Sequence, residues 1–600
     1  MQSLLDRKGI TKTMLTDRQT DRQTDEDELT GYPSIDKPWL KYYSRAAIES
    51  ELPKCKIYDK LLECNRDYQD AYVLEYFGNK ITYGSLFERI EETALAFQNA
   101  GIKKGDIVVI ACVTIPETIY AIYALNRLGA VPNMVDPRTS VEGIRNYIEE
   151  VSSPMVLTID LAYPKILRAV QNTTVKQIVT MSAFDSMPSL LKILMKIKTL
   201  FGKHPKYDSF SKVKWTKFVR NFNTGNIGDV PYEPDRCCMI VHTGGTTGNP
   251  KGVMLTDDNV NAAFHQAINS PILMKRGDVF LNVMPPFIAY GMVLGIHTAL
   301  CYGWKSVIIP KFNPKEFDKL LMKHKPNGLI GVPSYLENLM NSKKIKGKDL
   351  SFIKVLLAGG DKTPLEFEEI VNNFLSEHKA KIHLTKGYSM TEASATATIS
   401  FENTIKYGSN GVPLHNTVIA AFEQDTDNEL PYGKMGEICL NTPTMMKGYY
   451  NNESATNDII RMHRDGKKWI HTGDLGYVDK DGIIYIEGRL KRMIIRYDGF
   501  KIFLPFVEKV VMSNSAVESC CAVGKRDKEH GQGELPIVFC VRKKDMGTDL
   551  DKLVSELKQA CQEQLPEYSQ PVGFTFLPEL PLTPIGKIDY RALEEKWGNL

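Results

Sequence analysis

The chain of 600 residues is too long for one ordinary core, so at least two domains are expected. Apolar residues make up 43% and charged residues 24%, as in soluble globular proteins, and 75 basic side chains nearly balance 72 acidic ones. This balance argues against a general electrostatic attraction to nucleic acid. The 11 cysteines form no C-x-x-C pair and no zinc spacing, which indicates apolar core residues in a reducing cytoplasm.

The first thirty residues are polar and contain an immediate tetrapeptide repeat, Asp17-Arg18-Gln19-Thr20 followed by Asp21-Arg22-Gln23-Thr24. No secretory signal opens the chain. Because such a segment cannot bury a core, we expect residues 1–33 to be a disordered extension. Translation from Met14 or a later site is an alternative explanation of the segment.

The region from about residue 35 to 310 alternates short apolar runs with longer helical patterns. Segment 107–112 predicts a strand, 116–128 a helix that ends at Gly129, and 130–135 another strand. A strand, a helix and a strand in that order indicate parallel pairing and an α/β class. The theme recurs with three further predicted strands at 306–310, 328–333 and 354–358.

Two segments of this region raise the question of a membrane. Residues 279–304 carry no formal charge, but prolines and glycines interrupt the run, which favours a buried helix beside a pocket over a membrane span. Residues 189–201 can form a basic amphipathic helix. That helix could rest weakly on an anionic membrane surface or pack on its own domain with its lysines in water, and the second reading is favoured.

The last third of the chain has a different pattern of predicted secondary structure. Residues 405–487 contain short predicted strands with turns, such as 436–440 and 482–486, and residues 488–505 are basic and glycine-punctuated like a domain junction. A helix is predicted over 549–564. We therefore expect an α/β protein with a large N-terminal domain, 34–488, that combines parallel-sheet layers with a small β-barrel-like part. A small, mobile α+β domain, 489–600, should follow.

A run rich in glycine and threonine, from Thr243 to Gly252, follows the apolar segment 237–241, a predicted buried strand. Glycines let backbone N–H groups approach an anion, threonine hydroxyls add donors, and Lys251 adds a positive charge. The loop is therefore suited to hold phosphate groups. It is not a Walker loop, because Pro250 precedes the lysine and Gly252 follows it. An ordinary surface turn is the alternative interpretation.

The pattern T-G-G-T-T-G-x-P-K-G resembles the phosphate loop of the adenylate-forming superfamily, which includes acyl-CoA synthetases, adenylation domains of peptide synthetases and beetle luciferases. Further motifs follow in the superfamily's order over about residues 75–593, so the resemblance covers nearly the whole globular chain. It implies that the loop holds the triphosphate of ATP through Thr243, Gly244, Gly245, Thr246, Thr247, Gly248 and Lys251.

A second motif, Gly387 to Glu392, follows the segment 381–384, which reads as a strand. The resemblance implies that this motif, including Gly387 and Ser389, covers the nucleotide. Tyr388 would lie against the adenine, Thr391 would contact phosphate, and Glu392 would hold Mg²⁺. A serine hydrolase elbow is excluded, because position 391 is threonine instead of glycine.

Two more segments complete the predicted nucleotide site. In Thr472-Gly473-Asp474, the carboxylate beside a glycine turn can accept hydrogen bonds from ribose hydroxyls. The resemblance makes Asp474 the ribose ligand and Arg489 a ribose and phosphate contact. It also makes Gly359, Gly360 and Asp361 the wall beside the adenine, where glycines permit close approach to a flat base.

The frame P-x-T-x-x-G-K-I-D at 581–589 resembles the superfamily's adenylation-lysine segment, which implies that Lys587 neutralises charge between the acid and the α-phosphate. With Thr243, Lys251 and Glu392, Lys587 completes the expected catalytic residues. The small domain should rotate between half-reactions, so that the stretch around Gly499-Phe500-Lys501 faces the site in the second. The pivot is expected near Lys491-Arg492, and Lys491 is also expected among the nucleotide or CoA contacts. Arg492 stands where relatives often have an acidic residue.

The implied reaction joins a carboxylic acid to AMP and then to the thiol of coenzyme A. Residues 284–291 resemble the superfamily's pocket-entrance segment and contain no aspartate to pair with an ammonium, so amino acids are disfavoured. A hydrophobic acid, fatty or aromatic, is expected. Alternatives are loading of a separate carrier protein, a luciferase-like oxygenase and a non-catalytic protein. The predicted acid-binding residues are Phe287, Ile288, Tyr290, Gly291, Val332 and Gly387.

Overall fold

The computed structural model describes residues 29–189, 191–192, 212–220, 226–228, 230–243, 250–331, 333–359, 363, 365–498, 500–530, 533–543, 549–582 and 588–597. Most of the predicted extension lies outside these residues. Its last part, however, is folded, since Pro33 is buried at the start of a short helix and the carbonyl of Gly31 accepts the N–H of Tyr432 at 3.0 Å. The boundary at residue 33 is therefore placed too late.

The first sheet takes six of its eight strands from the region that precedes the phosphate loop. Its central strands are parallel and buried on both faces, as strands covered by helices on two sides must be. At one end of the sheet, Gly252–Thr256 runs antiparallel to both of its neighbours. In spatial order the eight strands are Gly448–Tyr449, Gly252–Thr256, Cys237–His242, Val131–Val135, Ile107–Ala111, Met155–Ile159, Gln177–Met181 and Lys212–Lys214.

The second sheet is parallel except for its terminal hairpin and collects strands from the N-terminal region and from the middle of the chain. The predicted strands at 306–310, 328–333 and 354–358 all belong to it, each shorter than predicted. In spatial order its seven strands are Thr385–Lys386, Val355–Ala358, Gly328–Gly331, Val279–Asn282, Lys305–Ile308, Tyr72–Tyr76 and Asn79–Thr82.

A third, antiparallel sheet forms the strand-rich part predicted over 405–487, and two small hairpins begin before it, at residue 389. The sheet contains Val418–Phe422, Gly436–Asn441, Lys468–Val478 and Ile460–Met462, with Ile484–Arg489 also paired to Lys468–Val478. The hairpins are Ser389–Met390 with Ala395–Thr396 and Thr398–Ile399 with Val412–Pro413.

The small C-terminal unit has its own core. Met493–Ile495 pairs with Lys501–Phe503, and Val517–Arg526 pairs with Glu534–Arg542, which pairs in turn with Gly573–Phe576. The helices Leu504–Met512 and Leu550–Gln564 bury apolar side chains against these strands. The mixed α/β class, with a large N-terminal and a small C-terminal part, is thereby confirmed.

The connection between the two parts is short. Arg489 ends a strand of the third sheet and lies opposite Asp474. Three residues later, the Arg492 guanidinium donates to both carboxylate oxygens of Glu508, at 3.0 and 2.8 Å, and lies 5.2 Å from the ring centre of Tyr590. Arg492 thus belongs to the small unit, and the chain passes from one unit to the other between Arg489 and Arg492.

Local sequence signals explain where several helices begin. The hydroxyl of Thr256 accepts the backbone N–H of Asn259, whose side chain accepts that of Thr256, which satisfies two donors that a helix start leaves free. The α-helices are Pro33–Asp36, Arg45–Glu49, Ile57–Asn65, Tyr83–Asn99, Pro116–Arg127, Val141–Glu150, Tyr163–Ala169, Trp215–Phe218, Asp257–Ile268, Ala299–Tyr302, Phe317–His324, Pro333–Met340, Leu365–Glu377, Glu453–Ile459, Leu504–Met512, Leu550–Gln564 and Tyr590–Trp597.

The uncharged segment 279–304 is a strand, Val279–Asn282, followed by a buried helix of π geometry, Tyr290–Thr298. Such wide helical turns are rare and often occur at functional sites. Among the residues that the structure describes, no helix combines the length and apolarity needed to cross a bilayer. The expectation of a buried helix beside a pocket is met. The amphipathic segment 189–201 lies mostly outside the described residues.

One predicted strand is wrong. Residues 381–384 form no ladder, and the strand is the two-residue piece Thr385–Lys386. A side chain takes the place of a neighbouring strand at the end of this segment. The N–H of Leu384 donates to Asn372 Oδ1 at 2.7 Å. The strand predicted at 482–486 begins instead at Ile484, after a turn in which Gly482 has a φ of 81°.

Candidate active site

The ends of the glycine-rich loop are clasped together at the edge of the first sheet. The N–H of Thr243 donates to the carbonyl of Lys251 at 3.1 Å, and the N–H of Lys251 donates to Thr243 Oγ1 at 3.1 Å. The preceding residue, His242, is buried, which lowers its pKa to about 4 and keeps the ring neutral near pH 7. The structure therefore fixes both ends of the loop, while residues 244–249 lie outside the described part of the chain.

Tyr449 connects the loop to the motif that contains Glu392. Its hydroxyl donates to Glu392 Oε1 at 2.7 Å, and Lys251 Nζ lies 4.7 Å from the centre of its ring. The strand Gly448–Tyr449 reaches this place because it pairs with Gly252–Thr256, directly after the loop. No role was assigned to Tyr449 from the sequence. The signal that could have pointed to it is the short run Gly-Tyr-Tyr, in which it is the first tyrosine.

Glu392 has the chemistry of a cation ligand. The residue is half-buried in the short helical turn Thr391–Ala393, and its main-chain carbonyl accepts the N–H of Met446 at 2.8 Å, which holds the turn in place. One carboxylate oxygen is occupied by Tyr449, and within the described part of the chain the other takes no hydrogen bond. Because Mg²⁺ prefers oxygen ligands, this donor fits the predicted metal role.

Tyr388, Asp474 and Arg489 form a second cluster. The Tyr388 hydroxyl donates to Asp474 Oδ2, and Arg489 Nε lies 2.8 Å from Asp474 Oδ1. Burial raises the pKa of Asp474 and outweighs the positive Arg489 beside it. Burial and the neighbouring Asp474 also raise the pKa of Tyr388, so its hydroxyl remains a donor. The structure brings these three predicted nucleotide residues together, through a contact between Tyr388 and Asp474 that was not predicted.

Two glycines lie where a side chain would not fit, and a third leaves little room for one. A Cβ at Gly387 would lie 2.3 Å from the carbonyl oxygen of Thr398, and one at Gly291 would lie 1.9 Å from that of Pro285. A Cβ at Gly359 would lie 3.2 Å from the hydroxyl of Tyr290. Tyr290 was predicted to bind the acid and Gly359 to lie beside the adenine. The structure makes these two residues neighbours. The Tyr290 hydroxyl is buried without a hydrogen-bond partner in the described residues, beside the expected position of the base.

An apolar cavity lies between the second sheet, the helix Asp257–Ile268 and the π-helix. It extends to the residues that follow Glu392, where Ser394 and Ala395 have φ values of 52° and 97°. The walls are almost entirely apolar and include Ala267, Phe280, Val293, Trp304, Leu357 and Ala395.

The described acid-binding candidates do not line this cavity. Phe287 is buried, with Arg138 5.9 Å from the centre of its ring, and Ile288 is half-buried. Later residues of the π-helix, Val293, Leu294 and Thr298, line the cavity instead. A helix predicted from a period of 3.6 residues would not identify these lining residues, because a π-helix presents different side chains on a given face than an α-helix does.

Several predicted residues cannot be placed. Gly244, Gly245, Thr246, Thr247, Gly248, Val332, Gly360, Asp361, Gly499 and Lys587 lie outside the described residues. The side chains of Lys491 and Lys501 are likewise not described. Of the predicted CoA segment, Phe500 is half exposed and stacks on Tyr568, with ring centres 4.5 Å apart.

Comparison with known proteins decides the family. A family model described as AMP-binding enzyme matches residues 62–450, and a second, AMP-binding enzyme C-terminal domain, matches residues 507–587. The chain belongs to the AMP-binding enzyme family. The resemblance read from its motifs is thereby confirmed, as is its assignment as an AMP-forming ligase.

Relatives of this AMP-binding enzyme match along nearly their whole length. It is 28% identical to a long-chain-fatty-acid–CoA ligase of Bacillus subtilis, covering 93% of this chain and 98% of that protein. It is also 28% identical to a probable 4-coumarate–CoA ligase 1 of Dictyostelium discoideum, with 86% and 90% covered. ATP-bound MatB from Rhodopseudomonas palustris shares the fold, with a TM-score of 0.76 at 20% identity over 91% of this chain and 99% of that one.

Replacing Tyr449 with phenylalanine tests the contact between Tyr449 and Glu392. We expect Tyr449→Phe to slow ATP–pyrophosphate exchange about tenfold and to raise the Mg²⁺ concentration required, because a hydrogen bond to a charged group contributes about 1.5–3 kcal/mol. The ring over Lys251 is retained. Tyr450→Phe removes the neighbouring hydroxyl and should stay near wild type. An unchanged Mg²⁺ requirement in Tyr449→Phe would show that the contact has no role.

Proposed function

We propose that this enzyme activates a carboxylic acid with an extended hydrocarbon chain and transfers it to coenzyme A. In the first half-reaction, a carboxylate oxygen of the acid bonds to the α-phosphorus of ATP, and the bond to the β-phosphate oxygen breaks to release pyrophosphate. In the second, the CoA sulfur, having lost its proton, bonds to the acyl carbon, and the bond to AMP breaks. The products are acyl-CoA, AMP and pyrophosphate.

The described side chains can serve the first half-reaction in distinct ways. Asp474, held by Arg489 and Tyr388, is positioned to accept hydrogen bonds from ribose hydroxyls. Lys251 and the clasped loop provide positive charge and donors for the phosphates. Glu392 would hold Mg²⁺, which when bound neutralises charge on the phosphates. We assign Lys587 the neutralisation of the reacting carboxylate and α-phosphate, with the small domain turning about residues 490–491 between half-reactions.

The apolar cavity is the main support for an acid with an extended hydrocarbon chain. An acid whose carboxylate lies near Glu392 could extend its chain past Ala395 and between Val293 and Leu357. Each buried methylene contributes about 0.8 kcal/mol, so a chain that fills the cavity gains much of its affinity there. The B. subtilis relative, named a long-chain-fatty-acid–CoA ligase, supports this choice, while the coumarate relatives keep an aromatic acid as the second candidate.

Coenzyme A is the favoured acceptor because both groups of relatives are named CoA ligases. The test is to incubate the enzyme with ATP, Mg²⁺ and acids of two to eighteen carbons, together with aryl acids, with and without CoA. Hydroxamate trapping reports the adenylate, and thioester analysis reports the second step. Thioesters formed fastest with long acids support the proposal. Preference for aryl acids would overturn the choice of acid, and adenylate without any thioester would favour a carrier-protein acceptor.

A large side chain in the cavity should shorten the preferred acid. Ala267 lines the cavity and is buried, so Ala267→Trp would fill part of the space. Loss of burial for about four methylenes corresponds to about 3 kcal/mol, or roughly 100-fold in kcat/KM for the longest acids. Short acids should react as before. Ile268→Trp is the matched control, since Ile268 is exposed on the same helix. Equal losses for long and short acids would contradict the assignment.

A further inference from the structure

The residues that carry Asp474 form a bulge between two strands of the third sheet. Cys439 lies opposite His471, and Glu437 lies opposite Leu475. Between these pairs, Ile438 alone faces the three residues Thr472, Gly473 and Asp474. A bulge leaves ladder groups unpaired and redirects a side chain, so something other than the neighbouring backbone must hold this one.

Side chains supply the missing hydrogen bonds. Glu437 Oε1 accepts the N–H of Gly473 at 2.9 Å. The hydroxyl of Thr472 donates to the carbonyl of Ile438 at 2.6 Å and accepts the N–H of Asp474 at 3.0 Å. Gly473 itself has a φ of 67°, which favours glycine. The shape of the bulge, and hence the direction of Asp474, depends on the Glu437 carboxylate and the Thr472 hydroxyl.

Glu437 is in turn the first member of a buried chain of three groups. Its Oε2 lies 2.9 Å from His471 Nδ1, and His471 Nε2 lies 2.9 Å from His463 Nε2. All three residues are at most 6% exposed. His463 stacks on Trp469, with ring centres 5.5 Å apart, which fixes the far end of the chain.

The electrostatics match a hydrogen-bonded chain with Glu437 ionised. Burial tends to raise the pKa of Glu437, but the hydrogen bonds from His471 and Gly473 hold it below its usual value. Burial and the adjacent His471 lower the pKa of His463, so that ring is neutral near pH 7. The His471 Nδ1–H can then donate to Glu437, and the His463 Nε2–H can donate to His471 Nε2.

We propose that Glu437, His471 and His463 are positioning residues that shape the bulge and thereby set the affinity for ATP. The inference rests on the proposed role of Asp474 as the ribose ligand. None of the three needs to touch the nucleotide, because they act on it through Gly473 and Asp474. Removal of a supporting partner of this kind typically costs about 10–100-fold in affinity or activity in the related case of metal ligands.

Two of these side chains also belong to a group of candidate metal ligands. Cys439 Sγ lies 3.6 Å from His471 Nδ1, and Glu437, Cys439 and His471 offer three ligand atoms within 4.8 Å of one another. Burial, however, raises the pKa of Cys439 well above its usual value, whereas zinc binds the thiolate. Both ring nitrogens of His471 are also engaged at 2.9 Å. These contacts favour a chain of hydrogen bonds over a bound metal ion. Elemental analysis, described below, distinguishes the two.

The decisive comparison is between Glu437→Ala and Glu437→Gln, measured by ATP–pyrophosphate exchange. Alanine leaves the Gly473 N–H and His471 without a partner, so KM for ATP should rise about 10–100-fold with a smaller change in kcat, as expected when binding is lost equally in ground and transition states. Glutamine can still accept the Gly473 N–H and can donate to His471 if both imidazoles reverse their tautomers. Its KM should stay within about threefold of wild type.

Three further variants make every outcome informative. Asp474→Ala should raise KM for ATP; if it does not, the proposed ribose role fails. If Asp474→Ala raises KM and Glu437→Ala does not, only the positioning inference is overturned. Cys439→Ala removes a buried neighbour that does not contact Gly473 and should leave KM unchanged. If Glu437→Ala does not fold, His463→Phe takes its place, and an unchanged KM in that variant overturns the inference.

Elemental analysis of the purified wild-type protein completes the test. Absence of bound zinc supports the hydrogen-bonded chain. About one zinc per chain that is lost in Cys439→Ala would overturn it and show a structural metal centre instead.

Discussion

Lys587→Ala should abolish adenylate formation while leaving thioester formation from supplied acyl-AMP largely intact. Negative charge gathers on the attacking carboxylate and on the α-phosphate, and a lysine between them stabilises that arrangement. Removing one preorganised charge-stabilising group typically lowers kcat by about 10²–10³-fold. The second half-reaction has no such charge accumulation at phosphorus. ATP–pyrophosphate exchange and the conversion of synthetic acyl-AMP and CoA to thioester measure the two halves separately.

Lys552→Ala is a suitable control for this experiment. Lys552 lies on a helix of the same small domain, its side chain is 71% exposed, and it reaches Glu556 only at 4.0 Å. Both half-reactions should therefore proceed at the wild-type rate in this variant. Equal loss of both half-reactions in Lys587→Ala would speak against a small domain that presents different residues in the two steps.

Glu392→Gln should reduce ATP–pyrophosphate exchange about 100-fold and raise the Mg²⁺ concentration needed for half-maximal rate, because a metal ion contributes several kcal/mol of charge stabilisation to phosphoryl chemistry. Glutamine has nearly the same shape, and its carbonyl oxygen can still accept the Tyr449 hydroxyl. The substitution therefore removes the charge of the ligand while retaining the observed contact. Exchange is measured over a Mg²⁺ titration at saturating ATP and acid.

Comparison with Tyr449→Phe shows whether the charge of Glu392 or its orientation contributes more to the exchange rate. We expect the loss in Glu392→Gln to exceed that in Tyr449→Phe, since the tyrosine only orients the carboxylate. Glu402→Gln, at an exposed position after the same motif, serves as the control and should behave as wild type. A Mg²⁺ requirement unchanged in Glu392→Gln would remove Glu392 from the metal site.

Local patterns were enough for much of the fold. The alternation of apolar runs and helical periods over 107–135 predicted a strand, a helix and a strand, and the structure has them at Ile107–Ala111, Pro116–Arg127 and Val131–Val135. These elements follow from side-chain periods of 2 and 3.6, which a short window contains. The strand predicted at 381–384 is absent, and the N–H of Leu384 is satisfied by the side chain of Asn372, which no local pattern reveals.

The sequence by itself determined the family and the kinds of chemistry available, because the motifs around Lys251, Glu392, Asp474 and Lys587 are short and contiguous. Tertiary structure alone decided which distant groups meet: Tyr449 with Glu392 across 57 residues, Glu437 with His471 across 34, and Tyr388 with Asp474 across 86. It also created the apolar cavity between a sheet and two helices. Such meetings depend on strand pairing and register over long chain separations, and the order of residues along a chain does not specify these locally.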